Sequence, residues 1–244
     1  MARCNPQTRP VPFDWPSACH QIAIADPRLG RLIARCPPGQ LRVAALQSPF
    51  EALVESIIYQ QLHGKAAATI HRRLLDSFLP LCGVGNHPSP RHLLDAPETQ
   101  LRSAGLSANK LLALRSLAEH ALGGTVPTLA QSRRLSDDAL IERLTLVRGI
   151  GRWTVEMFLI FRLGRPNVLP VDDYGVRKGF ALTFFGLKPT DKVTPDLLPT
   201  KEQMENRARR WRPWCTVASW YLWRACDLAK ESALKPHPTK SPKK

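Results

Sequence analysis

Apolar residues recur at three- to four-residue spacing through most of this chain, which places them on one face of an α-helix. Phe50, Leu53, Val54, Ile57, Ile58 and Leu62 form one such stripe, and Ser48-Pro49 ahead of it reads as a helix start. A second helix is expected from about Lys65 to Leu79. Between Ser107 and Leu122 the residues Leu111, Leu114, Leu117, Ala118 and Ala121 share a face, and Gly123-Gly124 is the stop. Ser136-Asp137-Asp138 is a capping signal for a helix ending near Val147, and Gly151 to Leu163 reads as the next, closed by Gly164. Asp172 begins a helix running to about Phe185, and Thr200 to Tyr221 supplies a final pair broken near Pro213. Cys82 to Pro90 is a Gly/Pro loop. With no alternating strand pattern and no repeat of fixed period, the expected fold is all-α, with about ten helices.

Length and composition refine this only a little. The 244 residues are 43% hydrophobic, enough for one sizeable domain or two small lobes around a shared core. No apolar run is long enough to span a bilayer, and Met1 to Pro16 lacks a signal-peptide core, so no membrane and an intracellular location are expected. Charge says more. Lys and Arg number 35 against 20 Asp and Glu, a formal net charge of +15. Such an excess favours nucleic acid, whose condensed counterions are released on binding, over an anionic membrane or a generically basic surface. Part of the excess lies in residues 231–244, a basic Pro/Lys tail expected to be disordered. The cysteines Cys4, Cys19, Cys36, Cys82, Cys215 and Cys226 form no C-x-x-C pair and read as reduced structural thiols.

The most informative stretch is Leu146-Val147-Arg148-Gly149-Ile150-Gly151-Arg152-Trp153-Thr154. One helix ends, two glycines flank an apolar residue, and another helix begins. Gly149 and Gly151 allow a tight turn and close approach of a ligand to the backbone. The new helix N-terminus offers unpaired N–H groups to an anion, while Ile150 plugs the turn. Taken alone, this pattern is equally that of an ordinary helix–turn–helix connection.

Together with the apolar helix that follows and Leu169-Pro170-Val171-Asp172-Asp173-Tyr174, the stretch resembles the helix-hairpin-helix DNA glycosylases, the HhH-GPD superfamily. The branch it is most similar to is that of 3-methyladenine DNA glycosylase II, in a short form without the N-terminal sheet domain. Ser56-Ile57-Ile58-Tyr59-Gln60-Gln61-Leu62-His63-Gly64-Lys65 resembles the segment carrying that family's DNA wedge, and Leu101 to Lys110 its lobe-linking motif. Trp211-Arg212-Pro213-Trp214 and Trp220-Tyr221-Leu222-Trp223 resemble its C-terminal helices. The resemblance implies two helical lobes around a DNA and base cleft. It places the glycosylase domain at 26–230, the hairpin at about 141–163, and a partly flexible segment at 1–25. It implies a base excision repair enzyme acting on alkylated bases in double-stranded DNA by base flipping, as a monomer. Its location is DNA-associated: cytoplasm or nucleoid in a bacterium, nucleus in a eukaryote. A glycosylase for hypoxanthine, uracil or an oxidised base, and a DNA-binding module without catalysis, stay open as alternatives.

What the resemblance assigns to individual residues follows. Asp173, three before the aliphatic Val176, matches the required carboxylate, with Asp172 as helper or cap. A fixed anion in a dry site stabilises the positive charge that develops on the sugar. Bifunctional relatives carry a lysine where this chain has Trp153, so no lyase activity is expected. Trp153, Tyr174, Trp223 and Tyr59 are expected in the base pocket, where aromatic faces stack on a flipped base. Gly175 is read as leaving that pocket open. The remaining tryptophans, Trp211, Trp214 and Trp220, are read as core. Gln61 or Leu62 is the wedge, His63 touches the groove, and Lys65, Lys110 and Arg152 contact phosphates, with Gly149, Ile150, Gly151 and Thr154 at the hairpin. No cofactor is needed for the chemistry and no iron–sulfur cluster is expected. A sodium or potassium ion at the backbone carbonyls of Thr145, Val147 and Gly149 is implied.

Overall fold

Local signals in the sequence decide where the helices of the computed structural model begin. It describes residues 8–45, 48–83 and 86–234. Among these are fourteen α-helices and two strands of three residues each. In chain order the helices are α1 (Trp15–Ala25), α2 (Pro27–Arg35), α3 (Pro49–Tyr59), α4 (Gly64–Ser77), α5 (Leu79–Cys82), α6 (Pro90–Asp95) and α7 (Glu98–Ser103). They continue as α8 (Ala108–Leu122), α9 (Leu129–Arg134), α10 (Asp137–Leu144), α11 (Arg152–Phe158), α12 (Tyr174–Phe180), α13 (Lys201–Ala208) and α14 (Cys215–Leu234). Ser107, Ser136 and Thr200 cap α8, α10 and α13 by accepting a backbone N–H with their hydroxyl groups, as side chains of that type do for orphan donors. Both α11 and α12 widen into a π turn, over Leu159–Leu163 and Ala181–Phe185.

The helical character is as expected, and several details differ. The count exceeds ten because α5, α6, α7 and α9 have only four to six residues, too few to carry a periodicity. A small sheet joins β1 (Thr8–Pro10) to β2 (Arg42–Ala44). The stripe through Leu62 stops at Tyr59, since Gln61 takes a left-handed conformation. The final helix runs thirteen residues beyond Tyr221, to Leu234. Residues 15–25, placed by the sequence in a partly flexible segment, form α1, which buries Trp15, Ala18 and Ile22. The disordered tail expected over 231–244 lies outside the described residues from 235 onward.

The chain divides into two compact units. The first holds Thr8 and residues 44–163, hence α3 to α11. Here α8 is the central helix: α3 and α6 pack on it, and it buries Leu111, Leu114 and Leu117. The buried stripe of α3, Leu53, Val54, Ile57 and Ile58, completes that core. An ion pair between Arg162 and Glu55 ties the end of α11's π turn to α3.

The second unit holds Arg9–Val43 and residues 164–234, hence α1, α2 and α12 to α14. Its core is the contact of α12 with α14, which α1 and α2 flank. Gly179 is what lets α12 come so close: a Cβ there would stand 1.9 Å from the Leu222 carbonyl oxygen. Asp26 is buried and holds the unit together at the α1–α2 corner. It accepts from the Arg207 guanidinium at 2.8 and 2.7 Å and from the Trp211 indole at 2.9 Å. Trp211 is core as expected, but Trp220 and Trp214 are only partly buried: Trp220 meets Trp15 edge to face at 5.4 Å, and the Trp214 indole donates to Gln21 at 2.9 Å. The described cysteines are unpaired thiols. Burial pushes Cys215 up to about 11, so it stays protonated at neutral pH.

Candidate active site and hairpin

Asp173 sits at the N-cap of α12, in the second unit. Its Oδ1 accepts the Val176 backbone N–H at 2.8 Å and the Trp223 indole N–H at 2.8 Å. The first bond closes the helix start and the second ties the carboxylate to α14, so its direction is set by two elements at once. The spacing of Asp173 to Val176 is thus a capping interval as well as a family pattern. Asp172, expected as helper or cap, is not the cap: the Asp173 side chain fills that position, and Asp172 is exposed and pairs with Lys201 at 2.9 Å.

The loop leading to Asp173 is stitched to α14 by two buried hydroxyls. Thr216 Oγ1 donates to the Arg165 carbonyl at 2.6 Å and accepts the Val168 N–H at 3.0 Å. Ser219 Oγ donates to the Cys215 carbonyl of its own helix at 2.8 Å and lies 3.3 Å from the Val168 carbonyl. Neither residue draws attention in the sequence, where two small hydroxyls on an apolar helix face look like ordinary core. Gly175 also has a different role from the one expected. A Cβ there would meet Trp223 Cδ1 at 2.7 Å and Asp173 Oδ1 at 3.1 Å. The position is closed, and glycine is required so that Trp223 can reach the carboxylate.

Of the expected pocket aromatics, Trp223 and Tyr174 belong to this unit, Trp223 half-buried and Tyr174 58% exposed. Trp153 and Tyr59 belong to the first unit. Trp153 is 45% exposed in the first turn of α11. Tyr59, at the end of α3, packs edge-on against His71 at 6.3 Å. Burial, and then the neighbouring Glu55, raise the Tyr59 hydroxyl above the ordinary phenol range. Burial, with a further push from His87, lowers His71.

The hairpin joins α10 to α11 in the first unit. Gly149 has φ +79°, a conformation that disfavours a side chain, and a Cβ there would stand 3.1 Å from that of Ala113 on α8. Gly151 caps α11 at an ordinary φ of −90°, and a Cβ there would meet nothing within 4 Å. The first glycine is therefore demanded by the turn. The second is not demanded by anything in its own chain, and beside it lies the N-terminus of α11.

Ile150 plugs the turn as expected, but three side chains assigned to the DNA interface turn inward. Ile150 is 3% exposed and its N–H donates to Val147 O at 3.1 Å, so it plugs the turn and presents nothing outward. Thr154 is 7% exposed and its hydroxyl faces the Gln60 amide at 3.5 Å; the helix turns it inward, one face round from Arg152. Lys110 does not reach outward to a phosphate: its ammonium donates to the backbone carbonyls of Ile58 and, at 3.0 Å, Gln60. Arg152 stays exposed while bonding the buried Glu156 at 3.0 Å.

The segment expected to carry the wedge follows α3. Gln61 has φ +57°, the sole non-glycine residue with positive φ among those described. Gln61, Leu62, His63 and Lys65 are all exposed, and His63 caps α4 without a side-chain bond. Gln60, which the sequence reading passed over, connects this turn to the hairpin by donating from Nε2 to the Gly149 carbonyl at 2.9 Å.

A helical hairpin with a left-handed glycine and a carboxylate held at a helix start define the class. Residues 54–213 match the family described as HhH-GPD superfamily base excision DNA repair proteins, and the chain belongs to that family. Among its relatives, DNA-3-methyladenine glycosylase 1 of Schizosaccharomyces pombe is 38% identical over 83% of this chain and 82% of its own. The solved structure of the 3-methyladenine DNA glycosylase of that yeast in complex with abasic DNA superposes with a TM-score of 0.65 at 35% identity, covering 85% of this chain and 95% of the other. A crystal structure of DNA-3-methyladenine glycosidase from Bacillus halodurans gives a TM-score of 0.74 at 30% identity, covering 92% and 94%.

Proposed function

We propose that this protein is a monofunctional DNA glycosylase of base excision repair that removes alkylated bases, of the 3-methyladenine and 7-methylguanine type, from duplex DNA. The observation that carries the reading is the Asp173 carboxylate, aimed by Val176 and Trp223 at the start of α12. A water molecule adds to C1′ of the deoxyribose as the C1′–N bond breaks. The base leaves with the bonding electrons, and the water passes a proton to Asp173, from which it is lost to solvent. Asp173 opposes the positive charge on the sugar and orients the water. An alkylated purine is already cationic, so it leaves without a strong general acid. The chemistry needs no cofactor. Trp153 stands where a lyase would need an amine, which supports hydrolysis that stops at the abasic site.

The remaining roles are assigned on the same basis. Gly151, Arg152 and the N-terminus of α11 take a DNA phosphate, as the open space at Gly151 supports. Gln61 is the wedge rather than Leu62: its strained backbone sits at an exposed turn, where strain marks function. His63 and Lys65 flank it; Trp223 and Tyr174, beside Asp173, are assigned to the base, and Trp153 and Tyr59 are the first unit's aromatics assigned to it. A monovalent cation at the carbonyls of Thr145, Val147 and Gly149 would share two of them, since Val147 O accepts from Ile150 and Gly149 O from Gln60. No helix among the described residues is long and apolar enough to cross a membrane, and the partner is double-stranded DNA, bound by a monomer. The test is single-turnover base release from methylated duplex. Released alkylpurine, an uncut strand and an inactive Asp173→Asn variant are expected. Tight duplex binding without release would redirect the reading to another lesion.

A further inference from the structure

A left-handed glutamine on an exposed turn has to be held there, because its backbone is disfavoured and its side chain lines a cavity of about 400 Å³ rather than packing into a core. The neighbours of Gln61 show what holds it. The carbonyl of the peptide that precedes Gln61, that of Gln60, accepts from the Lys110 ammonium at 3.0 Å. The same ammonium takes the carbonyl of Ile58, among the last of α3, where a helix leaves its acceptors unpaired and a cation is favoured. The Gln60 side chain reaches the other way, to the Gly149 carbonyl at 2.9 Å. Partial burial lowers the pKa of Lys110, and its two carbonyl bonds are what hold the ammonium at the turn.

The partners on the other side come from the same helix. Lys110, Ala113 and Ser116 follow one another at three-residue spacing along one face of α8. Lys110 grips the wedge turn, Ala113 lies under Gly149, and Ser116 Oγ accepts the Arg148 N–H at 3.2 Å. One rigid helix face thus touches both the turn that carries Gln61 and the hairpin that takes the phosphate.

We infer that Lys110 and Gln60 are positioning residues for the wedge, fixing Gln61 relative to the hairpin so that engagement of a phosphate at the hairpin delivers the wedge to the base stack. This rests on Gln61 being the wedge. Neither residue touches the reacting atoms; both act through Gln61.

The experiment uses the full chain and a duplex with a tetrahydrofuran abasic analogue beside 2-aminopurine, whose fluorescence rises when a side chain enters the stack. Affinity for undamaged duplex, thermal unfolding and single-turnover release from methylated duplex are measured alongside. Lys110→Met is expected to slow insertion and release roughly tenfold, the size of one charge-assisted hydrogen bond, with undamaged-duplex affinity little changed. Lys110→Arg should restore most of the rate. The double variant Gln61→Ala/Lys110→Met should be no slower than Gln61→Ala, because a residue that works through the wedge has nothing to add once the wedge is gone. Should Lys110→Met unfold, Gln60→Met, which removes the side-chain links to Gly149 and Thr154 while leaving Lys110 in place, is read instead with the same expectation. Wild-type insertion by these variants, or losses that add in full to that of Gln61→Ala, would overturn the positioning role. Wild-type insertion by Gln61→Ala itself would overturn the wedge assignment and the inference with it.

Discussion

The Trp223 indole and the Asp173 carboxylate, fifty residues apart in the chain, meet in a 2.8 Å hydrogen bond. Because the same oxygen also caps α12, the carboxylate is oriented by a backbone donor and a side-chain donor together. Asp173→Asn keeps a good N-cap and should leave the melting temperature nearly unchanged, while base release falls by at least about 100-fold. Trp223→Phe keeps an aromatic ring but loses the N–H together with the pyrrole half of the indole, so release should drop at least about tenfold. Single-turnover rates beside melting curves check both. An active Asp173→Asn enzyme would move the catalytic role elsewhere.

Two glycines on α12 should fail in different ways. Gly175→Ala drives a methyl into Trp223 and Asp173, so its main loss is in the rate of release. Gly179→Ala drives one into the Leu222 backbone, which cannot turn aside as a side chain can, and should cost about 3 kcal/mol or more of stability. Chemical denaturation of the two variants, compared with their activities, separates the effects; equal stability would mean that α12 and α14 slide apart readily.

The hairpin glycines should divide along the same lines. Gly149→Ala places a side chain at φ +79° and should lose about 1–2 kcal/mol of stability. Gly151→Ala meets no neighbour in its own chain, so stability should hold while duplex affinity falls through obstruction of the phosphate. Affinity measured across a salt series is the check, and unchanged binding by Gly151→Ala would remove that position from the DNA interface.

Acid should unfold the second unit through Asp26. Burial alone would raise this carboxyl, but hydrogen bonds from Arg207 and Trp211 and the Arg207 charge outweigh it and hold the pKa below the ordinary carboxylate value. A depressed folded pKa contributes stability that is complete above the unfolded value of about 3.9 and is lost as pH falls through the folded one. Melting temperature should therefore decline below about pH 4. Asp26→Asn, less stable by about 3 kcal/mol at neutral pH, should show a shallower acid limb. An identical limb in the variant would assign acid unfolding to other carboxylates.

The long helices were readable because amphipathic faces and capping residues are local. The stripe in α3, the Ser136 cap and the Gly149 turn all lie within a few residues of what they control. The short α5 to α7 and α9 carry less than two turns of pattern and were not readable. At the site, Asp173 and Trp223 could each be picked out by residue type, but not their contact. Gly175 was misread for that reason: its constraint comes from Trp223, which sequence distance hides. Lys110 was misassigned because a cation near a DNA-facing segment suggests a phosphate, while its real acceptors are backbone carbonyls, which leave no trace in residue identity. Gln60, Thr216 and Ser219 were passed over because their partners are also main-chain atoms.

The contact of Gly179 with the Leu222 backbone has a mechanical consequence. A helix whose main chain abuts that of its neighbour is locked against rolling about its axis, since any roll would swing the notch away and bring a bulkier residue into the seam. The carboxylate at its head is aimed by that lock. Substitutions at aromatics that do not bond the carboxylate, Tyr174 among them, can therefore be made without turning it off its line, whereas Trp223, which holds it, cannot be exchanged so freely.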